Sequence, residues 1–328
     1  MNCNFVGLKA MADIGNDIIR AADYLNNAEL VGIPTETVYG LAANAFNQTA
    51  VAKIFDVKRR PSFDPLIVHI SNLDTWQKCV IEISTTAKKL ADAFWPGPLT
   101  LVMAKSDLIP DLVSSGLATV GIRMPNHKLT LALLDSLNFP LAAPSANIFG
   151  YISPVTAQHV EEGLGKLIPY ILNGGKTSIG VESTIVDITT ETPQLLRAGG
   201  ISFEALQKIM PNIQIAKPNS IASSPGSLDN HYAPIKPLLL GDLGELIKEH
   251  LDKKISIISY SNSYTLTDLV HNYILSPTNS LNVAASNLFQ YMRQADADAS
   301  TIILAELVPN FGLGVAINDR LWKASLKL

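Results

Sequence analysis

What most restricts the fold is the alternation of short, largely β-branched apolar runs with amphipathic stretches along residues 1–205. Leu30–Pro34, Pro65–Ile70, Leu99–Met103, Thr119–Met124, Pro140–Ala143, Tyr170–Leu172 and Thr184–Ile188 read as strands of buried type. Between them, a segment from Asp13 sets Ile14, Ile18, Ala21, Ala22 and Leu25 on one helical face. Asn47 is a natural cap for a helix carrying Val51, Ile54 and Phe55. Thr85–Trp95 is helical and stopped by Pro96-Gly97-Pro98, and His127–Leu137 is a further helix. Some connections are too short for helical crossovers, so the expected sheet is mixed.

The pattern breaks over residues 206–236, where Pro211, Pro218, Pro225 and Pro234 accompany Ser223, Ser224, Gly226 and Ser227. That composition reads as a partly stiff linker, yet it also holds His231 and Tyr232, which a pure spacer does not need. Beyond it, Leu238–Leu240, Ile255–Ser259 and Thr301–Leu304 alternate with helices near Leu243–Leu251, Leu281–Ala295 and Gly314–Ala324. The expectation is an α/β protein with three parts. They are a domain over 1–205 whose core is complete by residue 200, a linker over 206–236, and a small Rossmann-like parallel α/β domain over 237–328. Gly312-Leu313-Gly314 is only a fragment of a dinucleotide fingerprint.

A chain with 47% hydrophobic and 16% charged residues can bury large cores. Its net charge of −4 argues against a broad nucleic-acid-gripping face, so direct tRNA or other RNA binding is not expected. Any anion site must be a local basic cluster. Cys3 and Cys79 are the only cysteines, which fits a reducing compartment. With neither a signal-peptide pattern nor an apolar run long enough to span a bilayer, the expected location is the cytoplasm, without membrane partners.

Asn173-Gly174-Gly175-Lys176-Thr177 imitates the end of a phosphate-binding loop, but Tyr170 stands where that loop needs glycine, and no helix pattern follows. The densest cationic stretch is Lys58-Arg59-Arg60, which reads equally as a solvated helix C-terminus. Arg123 and Arg197 sit in apolar surroundings, where a guanidinium needs a carboxylate or phosphate; an internal salt bridge or a ligand would serve. Pro144-Ser145-Ala146-Asn147, Ser153-Pro154 and Glu182-Ser183-Thr184 supply small polar groups at strand ends, which could also be turn chemistry. The six histidines show no metal-ligand spacing. Spacing alone therefore reaches an α/β-type enzyme with convergent Arg, Lys, Ser and Thr groups suited to an anionic ligand.

Taken in order, eight stretches resemble the YrdC-like threonylcarbamoyl-AMP synthase family. They are Pro34 to Leu41, Lys58-x-Arg60, Pro65 to Ile70, Trp95 to Thr100, Thr119 to Pro125, Ala143 to Asn147, Glu182-Ser183-Thr184 and Arg197-Ala198-Gly199. Ser224-Pro225-Gly226, His231-Tyr232-Ala233-Pro234 and the extra C-terminal unit are similar to the family's long form.

The resemblance implies a twisted mixed sheet flanked by helices around a basic cleft. It also implies synthesis of L-threonylcarbamoyl-AMP from ATP, L-threonine and bicarbonate, with pyrophosphate released and Mg2+ on the ATP. A downstream threonylcarbamoyl transferase complex would receive the product for threonylcarbamoyladenosine formation in tRNA. Lys58 and Arg60 would hold phosphates, with Thr119, Ser145, Asn147, Ser153, Arg197, His231 and Tyr232 completing the ATP site. Thr35, Thr37, His69, Arg123, Ala143 and Ser183 would surround threonine. Asp64 departs from the family's usual asparagine, and either recruits Mg2+ or lacks that ATP contact. The linker is expected to close over the site. Two rival readings share the domain: a carbamoyl-transfer enzyme, and an RNA-binding maturation factor without catalysis.

Overall fold

The computed structural model describes residues 11–217 and 231–326. Of the expected linker, Pro218, Pro225, Gly226 and Ser227 lie outside the described residues, as does Cys3. In chain order the first elements are β1 (Asp13–Gly15), α1 (Ile18–Asn26), β2 (Val31–Ile33), β3 (Gly40–Asn44), α2 (Gln48–Lys58), β4 (Ile67–His69), α3 (Leu73–Cys79), α4 (Thr85–Phe94) and β5 (Leu99–Ala104). Next come α5 (Asp111–Ser114), β6 (Thr119–Arg123), α6 (Lys128–Asp135), β7 (Leu141–Ala142), α7 (Ala157–Leu164), β8 (Tyr170–Leu172), β9 (Thr184–Asp187), β10 (Gln194–Arg197), α8 (Phe203–Ile209) and β11 (Gln214–Ile215). The remainder is β12 (Leu238–Leu240), α9 (Leu243–Glu249), β13 (Ile255–Ser259), β14 (Leu269–Ile274), α10 (Leu281–Ala297), β15 (Ile302–Ala305) and α11 (Gly314–Ser325).

The first eleven strands form one sheet in the order β1-β8-β2-β3-β7-β4-β6-β5-β9-β10-β11. It is mixed: β4 runs parallel to β6 but antiparallel to β7, and β5 is antiparallel to β6 but parallel to β9. The other four strands form an all-parallel sheet in the order β12-β15-β13-β14. Among the described residues no helix is long and apolar enough to cross a membrane.

One helix starts later than its periodicity suggests. Asp13–Gly15 pairs in parallel with Tyr170–Leu172 instead of joining the helix. A side chain at Gly15 would collide with the Tyr170 hydroxyl, which accepts a hydrogen bond from the Asp17 backbone N–H. Asp17 then caps the helix by accepting from the Arg20 backbone N–H. Asn47 caps α2 as expected, through Thr49 N and Ala50 N. That helix ends on Arg59 in a left-handed conformation, φ 52°, a sharp exit that leaves Arg59 exposed and buries both Lys58 and Arg60.

Each sheet has apolar clusters of its own, around Leu41 and Ile122 in the first unit and around Ile257 and Leu304 in the second, but the units also share one. One continuous apolar cluster joins Val38, Ile152, Val155 and Val181 of the first unit to Leu288, Phe289, Met292, Ile317 and Leu321 of the second. Tyr232 is fully buried in the same cluster and stacks on Phe289 with ring centroids 5.4 Å apart. The expected complete core by residue 200 is thus incorrect: Ile152, Val155 and Val181 are covered from the C-terminal side, and α8 and β11 continue the first unit past that point.

Candidate functional site

The topology places the singled-out residues around one patch of the large sheet. Strands β4 and β6 lie parallel and in register, with His69 opposite Arg123 and Ile67 opposite Gly121. Side chains two apart on a strand share a face, so Ile67 and His69 line one wall together with Arg123. The neighbouring walls come from Thr35 and Val38 after β2, from Gly40, from Ala143-Pro144-Ser145 after β7, and from Glu182-Ser183 before β9. Arg197 at the end of β10, Arg60 past α2, and His231 and Tyr232 complete the lining. The cavity is about 50 Å³. Drug-sized ligands occupy pockets of roughly 300–1,000 Å³. Binding of any such ligand therefore requires the cavity to widen.

Three arginines reach this cavity and each is engaged. Arg60 Nη2 lies 2.8 Å from the Asp64 carboxylate, and its Nε donates to Asp64 O at 3.0 Å. Arg123 Nη2 lies 2.8 Å from Glu36 Oε1. Arg197 donates through Nε and Nη2 to Ser183 O, at 3.1 and 2.9 Å, and through Nη2 to Ser183 Oγ. The internal salt bridge open to Arg123 on sequence grounds is thus made, to Glu36, while Glu182 is claimed by Arg320, 3.1 Å away on α11.

Lys58 is buried behind the wall. Its Nζ donates to Ser145 O at 2.5 Å and Asn147 O at 2.6 Å, tying α2 to the loop after β7. Burial, and then the Arg60 charge, pull its pKa well below the usual lysine value. Burial, and then the nearby Arg123 charge, pull His69 down to about 3, so its imidazole is neutral near pH 7. His231 is lowered well below its ordinary value, by burial first and then by Arg60.

Several expected residues lie outside the cavity wall. Thr119 opens β6, four residues from Arg123, or roughly 13 Å at about 3.3 Å per strand residue. Asn147 donates to Ile148 O and Tyr151 O, which fixes the turn below Ser145. Ser153 Oγ donates to Glu182 Oε1 at 2.6 Å. Thr37 Oγ1 shares a hydrogen bond with Thr35 Oγ1 at 2.8 Å. Asp64 faces Arg60. Thr35, Arg60, His69, Arg123, Ala143, Ser145, Ser183, Arg197, His231 and Tyr232 do meet at the cavity.

The sequence reading left out Glu36 and Glu182, both buried. Both stand inside stretches already singled out, and a carboxylate between those threonines and serines was the available signal. The Gly174-Gly175 segment that imitates a phosphate loop is instead tied to Tyr39, whose hydroxyl donates to Gly175 O and accepts from Gly174 N.

Buried polar atoms without a well-aligned hydrogen bond gather here: His69 Nδ1, Arg123 Nε, His231 Nδ1 and Tyr232 Oη. Such atoms are costly unless a ligand or water completes them. Among the described residues no group of three or more His, Cys, Asp or Glu could hold a metal ion. The arrangement suits a small, polar, anionic ligand.

The comparisons with known proteins agree with this geometry. The Sua5, YciO and YrdC family model, described as telomere recombination, matches residues 23–199. The model for the threonylcarbamoyl-AMP synthase C-terminal domain matches residues 201–325. A threonylcarbamoyl-AMP synthase from Pyrococcus abyssi is 41% identical over 321 residues, 93% of each chain. One from Bacillus subtilis is 38% identical, over 94% of this chain and 92% of its own. The crystal structure of P. abyssi Sua5 complexed with L-threonine superposes with a TM-score of 0.89 at 40% identity, covering 96% of this chain and 97% of that one. Both units, their order and their length match, and the chain belongs to the threonylcarbamoyl-AMP synthase family in its long, two-unit form.

Proposed function

We propose that this enzyme makes L-threonylcarbamoyl-AMP from L-threonine, bicarbonate and ATP and releases pyrophosphate, the first step of threonylcarbamoyladenosine modification of tRNA. The observation that carries the reading is the meeting of Arg60, Arg123 and Arg197 with neutral His69 and several incompletely bonded polar atoms in one buried cavity. The P. abyssi relative solved with L-threonine supports the choice of amino acid.

In this reading the Arg123 guanidinium takes the threonine carboxylate, since its planar fork makes two parallel charge-assisted bonds. His69, held neutral, and Thr35 and Ser183 complete the amino-acid pocket over Ala143. Arg60 and Arg197 face the phosphates. Lys58 supports them from behind by fixing the Ser145–Asn147 loop.

The threonine amine adds to CO2, formed from bicarbonate, and loses a proton to give a carbamate. A carbamate oxygen then attacks the α-phosphorus, forming the acyl-phosphate ester bond as the bond to pyrophosphate breaks. Little covalent help is needed from the protein; positioning and charge neutralisation dominate. Mg2+ would arrive on the polyphosphate and offset its charge. Because a carbamate decomposes readily in water, His231 and Tyr232 serve as the cover that excludes it. The product passes to a threonylcarbamoyl-transferring partner.

The test is isotopic. With 13C-bicarbonate, mass spectrometry should find one heavy carbon in a threonylcarbamoyl-AMP product. Its absence, with ATP and threonine both present, would remove this reading.

A further inference from the structure

The C-terminal unit has no role in the reaction as set out above. Its last helix, α11, nevertheless touches residues of the cavity wall. Arg320 on that helix is fully buried and crosses into the first unit, where Nε donates to Glu182 Oε2 at 3.1 Å and Nη1 to Ala198 O at 2.7 Å. Its guanidinium also lies over the Tyr232 ring, 5.5 Å from the centroid. Glu182 and Tyr232 both line the cavity, and Ala198 adjoins Arg197.

Glu182 is the one carboxylate in that wall among the described residues. It sits beside Ser183, the acceptor of the Arg197 bonds, and it accepts the Ser153 hydroxyl on its other oxygen. An unpaired buried carboxylate there would repel an incoming polyphosphate and draw Arg197 away from it. Arg320 is itself held by Asp319 at 3.0 Å, and Asp319 also pairs with Lys323 at 3.1 Å, so α11 presents a fixed cationic corner.

We infer that Arg320 is a positioning residue of the nucleotide site: by claiming Glu182 and backing Tyr232, it makes the C-terminal unit part of the phosphate-binding machinery. The inference rests on the function proposed above, because it takes the cavity to be the ATP site. Removing a buried arginine while leaving its carboxylate is disruptive, whereas removing both charges is far milder. That asymmetry supplies the test.

Calorimetry on Arg320→Gln should show ATP binding weakened by ten- to a hundredfold, with L-threonine affinity changed less than about threefold, since Arg123 holds the other end. In Arg320→Gln/Glu182→Gln, ATP affinity should return to within about threefold of wild type. Arg320→Lys, which keeps a cation beside Glu182, should lose less than Arg320→Gln. Should Arg320→Gln fail to fold, the double variant and Arg320→Lys carry the same comparison.

An Arg320→Gln protein that binds ATP like wild type would overturn the assignment. So would a folded double variant as weak as the single one, or equal losses for ATP and threonine. Wild-type protein with no ATP affinity would instead refute the proposed function, and the inference with it; a failure confined to the variants refutes the inference alone.

Discussion

His69 offers a prediction whose size follows from the structure. The side chain is 3% exposed, and burial with Arg123 alongside lowers its pKa from 6.5 to about 3. The unfolded chain titrates near the ordinary value, so between about pH 3 and pH 6.5 it binds the proton that the folded protein refuses. Stability from this group is therefore complete above pH 6.5 and is lost as pH falls, at about 1.4 kcal/mol per pH unit inside that window. Between pH 8 and pH 5 the loss is about 2 kcal/mol. His159, lowered to about 4, and His231 act in the same direction, so the wild-type slope alone cannot isolate one residue. Comparison with His69→Gln can. The variant keeps a polar side chain of similar reach, and any pH-independent cost of the change cancels in the slope. Urea unfolding at pH 5, 6, 7 and 8 should give a pH 8 minus pH 5 difference about 2 kcal/mol smaller in the variant. Equal differences in the two proteins would refute the claim that His69 is held neutral by its surroundings.

Three further expectations concern charge and packing. Arg123→Ala strands Glu36 and should cost about 3–5 kcal/mol of stability while weakening threonine ten- to a hundredfold. Adding Glu36→Gln should recover much of the stability by thermal melts but none of the threonine affinity by calorimetry; recovery of both would mean that Arg123 never met the substrate. Asp64→Asn frees Arg60 from its carboxylate and should tighten ATP several-fold at fixed free Mg2+; a raised Mg2+ requirement with weaker ATP would mark Asp64 as a metal ligand instead. Phe289→Ala should destabilise the whole chain by about 3–5 kcal/mol in one cooperative transition, since the cluster it occupies spans both units; two separate transitions would contradict a shared core.

The strands that could be read from sequence are those buried through most of their length, such as Leu99–Met103, where Thr100 is the one polar side chain in an apolar run. Gly40–Asn44 escaped because its Gly and Ala residues carry no β-branched signal, yet small residues suit its place, with Gly40 packed against Ala143. Leu269–Ile274 escaped as an edge strand interrupted by His271 and Asn272. At the site, arginines in apolar context announced themselves, because buried guanidinium needs a partner. Which partner was not legible. Arg320 and Glu182 are 138 residues apart, and only the packing of α11 against the first unit decides that they meet. The same packing covers Ile152, Val155 and Val181, which is why a local reading mistook residues 1–200 for a closed core.

The central claim is that the cavity activates a carboxylated threonine with ATP. The most direct measurement follows pyrophosphate release from purified protein given ATP and Mg2+, with and without bicarbonate, across single amino acids. The account predicts release that requires L-threonine and bicarbonate together, with serine at most a weak substitute. Release that proceeds equally with any amino acid, or without bicarbonate, would contradict it.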